Sequence, residues 1–192
     1  MPLKSSSRKK TFKVLSRKTI FRGYVSRLDL LKIRTASGRE VERELILHPG
    51  AVVIIPRLPD GRLILIHQLR VATGGKIWEF PAGTLEKGEP PAECAARELQ
   101  EETCWKPGRL RKMVQYYPTP GLSNELMYLY LADRLSASYE CKPDPDEELE
   151  VAYFSVSQIE KMIRSRRIID GKTILGFLLY LRLPRKRLAK LR

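Results

Sequence analysis

Between Pro90 and Thr103 the chain reads Pro-Pro-Ala-Glu-Cys-Ala-Ala-Arg-Glu-Leu-Gln-Glu-Glu-Thr. Proline suits the first turn of a helix, where its missing N–H leaves nothing unsatisfied. Glu89, just ahead of that turn, favours the positive end of the helix dipole. A helix is therefore expected from about Pro90. At roughly 100° per residue, Ala92, Ala96, Leu99 and Thr103 share one stripe, with Ala95 at its edge, and these side chains are small enough to pack closely on a sheet. Glu98, Glu101 and Glu102 fall in a neighbouring arc of about 100°. Carboxylates held so close repel one another unless cations neutralise them. Arg97, one turn before Glu101, offsets part of that charge. Magnesium or manganese is the natural remainder, because these hard cations take oxygen ligands and bridge phosphate oxygens.

An acidic run of this kind, taken alone, reads as an ordinary solvated helix face. The wider spacing changes the reading. Gly83 is followed after five residues by Glu89, after seven more by Arg97-Glu98-Leu99, and then by Glu101-Glu102 and the apolar Trp105. This segment resembles the Nudix box: glycine, five residues, glutamate, seven residues, Arg-Glu-apolar-any-Glu-Glu-any-glycine-apolar. It departs from the box at one defined position, where Cys104 stands in place of the closing glycine. That glycine ends the helix in a left-handed conformation, which disfavours a cysteine. Gly108, after Pro107, is expected to share the turning.

Outside the box the chain is similar to the ADP-ribose and nucleoside-diphosphate-sugar pyrophosphatase branch of that family. The matching pieces are Val41-Glu42-Arg43-Glu44, Gln68-Leu69-Arg70, Trp78-Glu79-Phe80-Pro81-Ala82-Gly83, and the run from Tyr117 through Pro118 and Pro120 to Glu125. The resemblance implies a Mg²⁺-dependent hydrolase, with Mn²⁺ as a substitute, that splits ADP-ribose or a related nucleotide sugar into a nucleoside monophosphate and a sugar phosphate. It implies Glu98 and Glu102 as metal ligands beside the carbonyl of Ala82, with Glu101 completing the cluster and Arg97 orienting the glutamates. Arg43 and Arg70 would hold the diphosphate and its sugar, where guanidinium forks suit phosphate oxygens. Glu79 and Glu125 would be polar contacts to the substrate, and Pro120 would shape the pocket rim. A loop glutamate, Glu147 in preference to Glu148, or a box glutamate, would accept the proton of the attacking water. In this branch the N-terminal arm crosses to a second subunit, so a homodimer is expected. Competing readings are hydrolysis of GDP-mannose or a dinucleoside polyphosphate, or a non-catalytic nucleotide- or RNA-binding module. The intact glutamates argue against the last.

Several elements must position these residues. From Phe12 to Leu47, short apolar and charged stretches joined by turns such as Ala36-Ser37-Gly38 read as a strand-rich arm. Ala51–Pro56 and Arg62–His67 read as strands joined through Pro59-Asp60-Gly61, a hairpin signal. Further strands are expected at Ile77–Phe80, Lys112–Tyr117, Glu125–Ala132 and Leu149–Phe154. Ser157 with Glu160 predicts a capping box opening a helix to about Arg166. A last helix is expected over Thr173–Leu183, ended by Pro184. Gly171-Lys172-Thr173 resembles the end of a P-loop, but Arg166 stands where the earlier glycine is required, so the match fails. The mixed order predicts an α/β (α+β) fold rather than a doubly wound sheet. The resemblance makes it a Nudix-type α/β/α sandwich with a mixed sheet. The expected organisation is a basic tail over 1–11, the arm over 12–47, the hydrolase domain over 48–183 and a second basic tail over 184–192.

Composition narrows the classes. The 192 residues suffice for one well-buried domain with an arm, and 43% hydrophobic with 30% charged residues suits a soluble protein. No apolar run is long enough to span a bilayer, and no apolar signal core follows the N-terminal basic residues. Cys94, Cys104 and Cys141 lack metal-site spacing and are expected as reduced thiols in a cytoplasmic protein. His48 and His67 are isolated and expected to be structural. Thirteen of the net fourteen positive charges lie in residues 1–18 and 182–192, so the body is almost neutral. The basic ends read as solvated tails, and nucleic acid is not expected as a partner.

Overall fold

A computed structural model describes residues 11–138 and 149–183 of the chain. The chain divides into two compact units, Met1–Pro49 with Thr119–Glu125, and Gly50–Pro118 with Leu126–Arg192.

The first unit is an antiparallel sheet of β1 (Phe12–Arg22), β2 (Arg27–Thr35) and β3 (Glu40–Leu47), in that order. Gly38, at φ 83°, turns the chain between β2 and β3, in a conformation that glycine adopts without steric cost. Asp29 of β2 is fully buried, and its carboxylate accepts hydrogen bonds from Thr19 Oγ1 at 2.9 Å and Arg27 Nη2 at 3.0 Å. The Thr119–Glu125 loop joins this unit through main-chain bonds: Ile46 N–H donates to Leu122 O at 2.9 Å, and Asn124 N–H to Ile46 O at 3.1 Å. Phe12, Val14, Ile20 and Phe21 of β1, with Tyr24 and Val25 after it, are exposed.

The second unit holds β4 (Ala51–Pro56), β5 (Leu63–Arg70), β6 (Gly75–Glu79), β7 (Ala82–Thr84), α1 (Pro91–Thr103), β8 (Trp105–Lys106), β9 (Arg109–Tyr116), β10 (Met127–Asp133), β11 (Ser136–Ala137), β12 (Glu150–Phe154), α2 (Val156–Arg164) and α3 (Gly171–Leu181). Its four-stranded sheet runs β7-β4-β10-β9, with β4 and β10 parallel and the other neighbours antiparallel. A second sheet runs β12-β5-β6, and β8 pairs with β11.

Strand β4 is apolar on both faces because both are covered. Val53 and Ile55 enter a core with Leu63, Leu65, Phe80, Leu129, Leu131, Met162 of α2 and Phe177 of α3. Val52 and Ile54 enter a second core with Ile64, Tyr128, Tyr130 and Cys94, Ala95 and Leu99 of α1. Helix α1 thus lies on one side of the strands and α2 and α3 on the other, which is the expected α/β/α sandwich.

Three local expectations change. The Asp60-Gly61 turn forms, with Gly61 at φ 90°, but β4 and β5 share only the bridge Arg57–Leu63 and then pair in different sheets. Each finds a longer ladder elsewhere, so the turn works as a corner and not as a hairpin. Helix α2 opens two residues earlier than expected. Its capping box is Ser155 with Gln158, each side chain bonded to the other residue's backbone N–H. Helix α3 is capped by Asp170, whose side chain accepts from Thr173 N–H at 2.9 Å, so Gly171 and Lys172 lie inside its first turn.

Candidate active site

Helix α1 buries Ala95, Leu99 and Thr103 of the expected stripe but is rotated from it toward Cys94 and Glu102. Cys94, Ala95, Leu99, Glu102 and Thr103 are buried, whereas Ala92 is exposed. The rotation brings the carboxylate arc to the seam between α1 and β7. Glu102 is 5% exposed, and its Oε2 accepts a hydrogen bond from Ala82 N–H at 3.0 Å. Glu98 lies against Gly83, where a β-carbon would stand 1.8 Å from Glu98 Cδ. The first glycine of the box is there because nothing larger leaves room for that carboxylate.

Arg97 gathers the rest. Its Nε and Nη2 donate to the two oxygens of Glu89 at 2.9 and 3.1 Å. Its Nη1 lies 2.8 Å from Glu98 Oε1 and donates to Glu101 Oε2 at 2.9 Å. Glu89 also accepts from Glu86 N–H at 3.0 Å. The Arg97 guanidinium holds the Glu89 carboxyl down to about 2, against an ordinary 4.5. The hydrogen bonds that Arg97 donates to Glu89 in turn push Arg97 further up, so it is permanently charged. Glu89 was expected only as a partner of the helix dipole; its larger role is to anchor Arg97.

Among the described residues no three His, Cys, Asp or Glu side chains converge as a ready metal cage. Glu98 and Glu101 turn to Arg97, and Glu102 turns to Ala82 N–H. The donor set nevertheless fits a hard divalent cation. It consists of carboxylate oxygens of Glu98, Glu101 and Glu102, within little more than one helical turn, beside the main chain of Ala82.

A second cluster stands at the end of β6. Glu79 was expected as a polar contact to substrate. Its side chain is instead fully buried, and Arg70 grips it with two bonds, Nε to Oε1 at 2.7 Å and Nη2 to Oε2 at 3.0 Å. Lys172 of α3 bonds the same Oε2. Lys172 also lies 3.0 Å from Asp170 Oδ1. Arg70 keeps 37% of its side chain exposed. Only Phe80 and Pro81 separate Glu79 from Ala82, and Phe80 N–H donates to Thr173 Oγ1 at 2.8 Å. Sequence reasoning missed Asp170, Lys172 and Thr173. The available signal was an aspartate three residues before a threonine, an N-cap pattern, obscured by the failed P-loop match.

The remaining expected residues belong to the first unit or lie outside the described residues. Arg43 is exposed on β3 and donates from Nη1 to Glu42 O at 2.7 Å. Pro120 is exposed in a turn in which Leu122 N–H donates to Thr119 O at 3.0 Å. Glu125 N–H donates to Ser123 Oγ at 2.9 Å, and its Oε1 lies 3.8 Å from His48 Nδ1. Glu147 and Glu148 lie outside the described residues. The His67 ring stacks on Trp78 with centroids 4.5 Å apart, and its Nδ1 lies 3.3 Å from Glu150 Oε2.

The exit of α1 corrects two expectations. Cys104 itself takes the left-handed conformation, at φ 59° and ψ 26°, and its N–H donates to Gln100 O at 2.9 Å. Gly108 serves a different need, because a β-carbon there would stand 2.5 Å from Arg134 O. Cys104 is also disulfide-bonded, so the cysteines are not all reduced thiols; it is exposed at the helix end, where a thiol can be oxidised. Cys94 is the buried free cysteine among the described residues, and burial pushes its thiol far above the ordinary range.

Comparison with known proteins agrees with this geometry. Residues 47–173 match the NUDIX domain. The chain is similar to an ADP-ribose pyrophosphatase of Bacillus subtilis (strain 168), at 36% identity over 84% of this chain and 88% of that one. It is also similar to a methanol dehydrogenase activator of Bacillus methanolicus, at 32% identity over 85% of this chain and 89% of that one. Among solved structures, one described as an ADP compounds hydrolase superposes with a TM-score of 0.80 over 96% of this chain and 98% of its own, at 21% identity. That last likeness is one of fold.

Proposed function

Because the chain belongs to the Nudix family, we propose that it hydrolyses the diphosphate bond of ADP-ribose or a related nucleoside diphosphate sugar, giving a nucleoside monophosphate and a sugar phosphate. The observation that carries this reading is that Arg97 gathers Glu98 and Glu101 while Glu102 is tied to Ala82 N–H and Glu98 lies against Gly83.

Glu98, Glu101, Glu102 and the carbonyl of Ala82 would hold Mg²⁺, with Mn²⁺ as a substitute. The metal, when bound, neutralises phosphate charge and makes a bound water more acidic. The protein's own groups do the rest. Arg97 fixes the directions of Glu98 and Glu101, because one planar fork cannot turn without breaking several bonds. Arg70 presents its exposed guanidinium edge to the diphosphate, held from behind by Glu79. Glu101, with 40% of its side chain exposed, can accept a proton from water, a role that the family pattern also assigns to Glu147. Arg43, Pro120 and Glu125 are proposed as substrate contacts on their match to the family's motifs. The exposed apolar side chains of β1 support a homodimer, in which a second copy covers them.

The test is a panel of nucleotide substrates with Mg²⁺: ADP-ribose, GDP-mannose and a dinucleoside polyphosphate. ADP-ribose is expected to be turned over fastest, and Glu102→Gln is expected to cost about a hundredfold or more in kcat/KM. Wild-type turnover by a folded Glu102→Gln protein would remove the assignment. Light scattering at micromolar concentration tests the dimer, and a monomeric mass rejects it.

A further inference from the structure

We propose that the cavity between β9 and the end of α3 is a second binding site, which takes the phosphate group of a small phosphate monoester, with Arg111 and Arg182 as its cations. The cavity has a volume of about 250 Å³ and is lined by Arg111, Lys112 and Met113 of β9, Leu179 of α3, and Arg182 and Leu183 just after it.

Arg111 is half-buried, and its Nη2 is sealed from solvent with no acceptor among the described residues. A guanidinium in that setting keeps its charge and loses part of its hydration, which costs stability. The protein behind it does not neutralise it, so the cavity is the side from which an anion can. The neighbouring charges leave that opening in place. Residues 109–116 and 171–183 contain no Asp or Glu. Strand β10, beside β9, carries one acid, Asp133, and Arg109 holds it through Nε and Nη2. Among the described residues neither Arg111 nor Arg182 has a carboxylate partner. The Lys112 ammonium is engaged elsewhere: it donates to Gln115 Oε1 and lies 4.8 Å from the centroid of the Tyr128 ring. Tyr128 belongs to the core under α1, whereas Met113, Leu179 and Leu183 pack on the core under α3. The C-terminal end of α3 supplies about half a negative charge, so the two guanidiniums leave about +1.5 at the cavity.

Two guanidinium forks select the anion. A carboxylate has two oxygens, and one fork fills them. A terminal phosphate has three oxygens and carries close to two negative charges at neutral pH, so it can serve both arginines. A phosphodiester has one charge and two free oxygens, and it matches only one of them. The apolar wall of Met113, Leu179 and Leu183 suits the organic body of the ester. The volume lies just below the range of roughly 300–1,000 Å³ of larger ligand pockets, so the site fits the ester of one sugar or nucleoside and not a dinucleotide.

The test follows the methyl signal of Met113, one of four methionines, by NMR of the full chain labelled at its methionine methyls, with Mg²⁺ present and ionic strength held constant. Met113→Leu identifies the signal. AMP, ribose 5-phosphate and inorganic phosphate are titrated in turn. All three are expected to shift the signal to saturation, and the two esters to bind about threefold or more tighter than inorganic phosphate, because only they cover the apolar wall. Arg111→Met and Arg182→Gln are each expected to weaken AMP about tenfold. Arg70→Ala should leave the Met113 titration unchanged, since that arginine belongs to the proposed active site. Arg111→Met removes a half-buried cation without a partner, so its Tm without ligand should be no lower than that of wild type. A Met113 signal that none of the three moves overturns the site. Loss of the shift in Arg70→Ala transfers the binding to the active site and overturns it as well. Unchanged affinity in both arginine variants overturns the assignment of the cations, and so does a Tm of Arg111→Met several degrees below wild type, which would make that arginine structural. Inorganic phosphate binding as tightly as AMP, or an RNA oligomer without terminal phosphates shifting Met113 as strongly, overturns the monoester as ligand.

Discussion

Gly83 and Glu98 share one space: a β-carbon on Gly83 would stand 1.8 Å from Cδ and 2.0 Å from Oε1 of Glu98. Those atoms are the far end of a flexible side chain, so the overlap is relieved by moving the carboxylate and not the backbone. Gly83→Ala is therefore expected to fold with a Tm close to wild type and to lose activity. A displacement of about 1 Å at a reacting group costs on the order of a hundredfold, and kcat/KM should fall by about that much. Thermal melts and Mg²⁺-dependent hydrolysis of ADP-ribose check the two halves separately. An alanine variant of wild-type activity would mean that Glu98 does not need this position.

The Glu89–Arg97 pair makes stability depend on acid. Glu89 titrates at about 2 in the folded protein, against an ordinary 4.5. A depressed carboxylate adds stability above its unfolded pKa and loses it as pH falls through the folded one. The gap in Tm between wild type and Glu89→Gln should be fully present at pH 7, begin to close below about 4.5 and be gone near 2. A gap independent of pH over that range would show that the pair contributes no charge-dependent stability.

Which parts of this were legible beforehand follows from the range of the interactions. The carboxylates and Arg97 lie on one helix, so their proximity follows from 3.6 residues per turn, and spacing alone placed them. The buried face of α1 was legible only in part: Ala95, Leu99 and Thr103 are buried as their stripe predicts, while Glu102 is drawn inward by Ala82 N–H, a partner twenty residues away. The buried setting of Glu79 was out of reach for the same reason. Its second cation, Lys172, is 93 residues along the chain, and no local pattern records that pairing. The Asp60-Gly61 turn was read from local chemistry, which fixes the turn but not the sheets in which its flanking strands find partners.

Arg97 is a site where lysine is not an equivalent. One guanidinium holds Glu89 through two nitrogens while a third nitrogen reaches Glu98 and Glu101 at 2.8 and 2.9 Å. An ammonium keeps the charge but cannot hold that fan of directions. Arg97→Lys is expected to keep the fold and lower kcat/KM about 10- to 100-fold, the usual cost of losing a group that orients metal ligands. Steady-state kinetics at saturating Mg²⁺ checks this, with Tm as the control for folding. Activity within twofold of wild type would show that charge alone suffices at this position.

Cys104 occupies a left-handed conformation that the box reserves for glycine. A β-carbon there costs about 1–2 kcal/mol, while glycine's freer unfolded chain gives back about 0.4–1 kcal/mol. Glycine should therefore win by roughly 1 kcal/mol, which for a chain of this size corresponds to about 2–4 °C in Tm. The fair comparison is Cys104→Gly against Cys104→Ala, because both remove the disulfide and differ only in the β-carbon. Calorimetry is expected to place the glycine variant higher by that margin. Equal melting of the two, or a higher Tm for alanine, would mean that the helix exit relaxes out of the left-handed region once the cysteine is gone, and that the disulfide holds the conformation there.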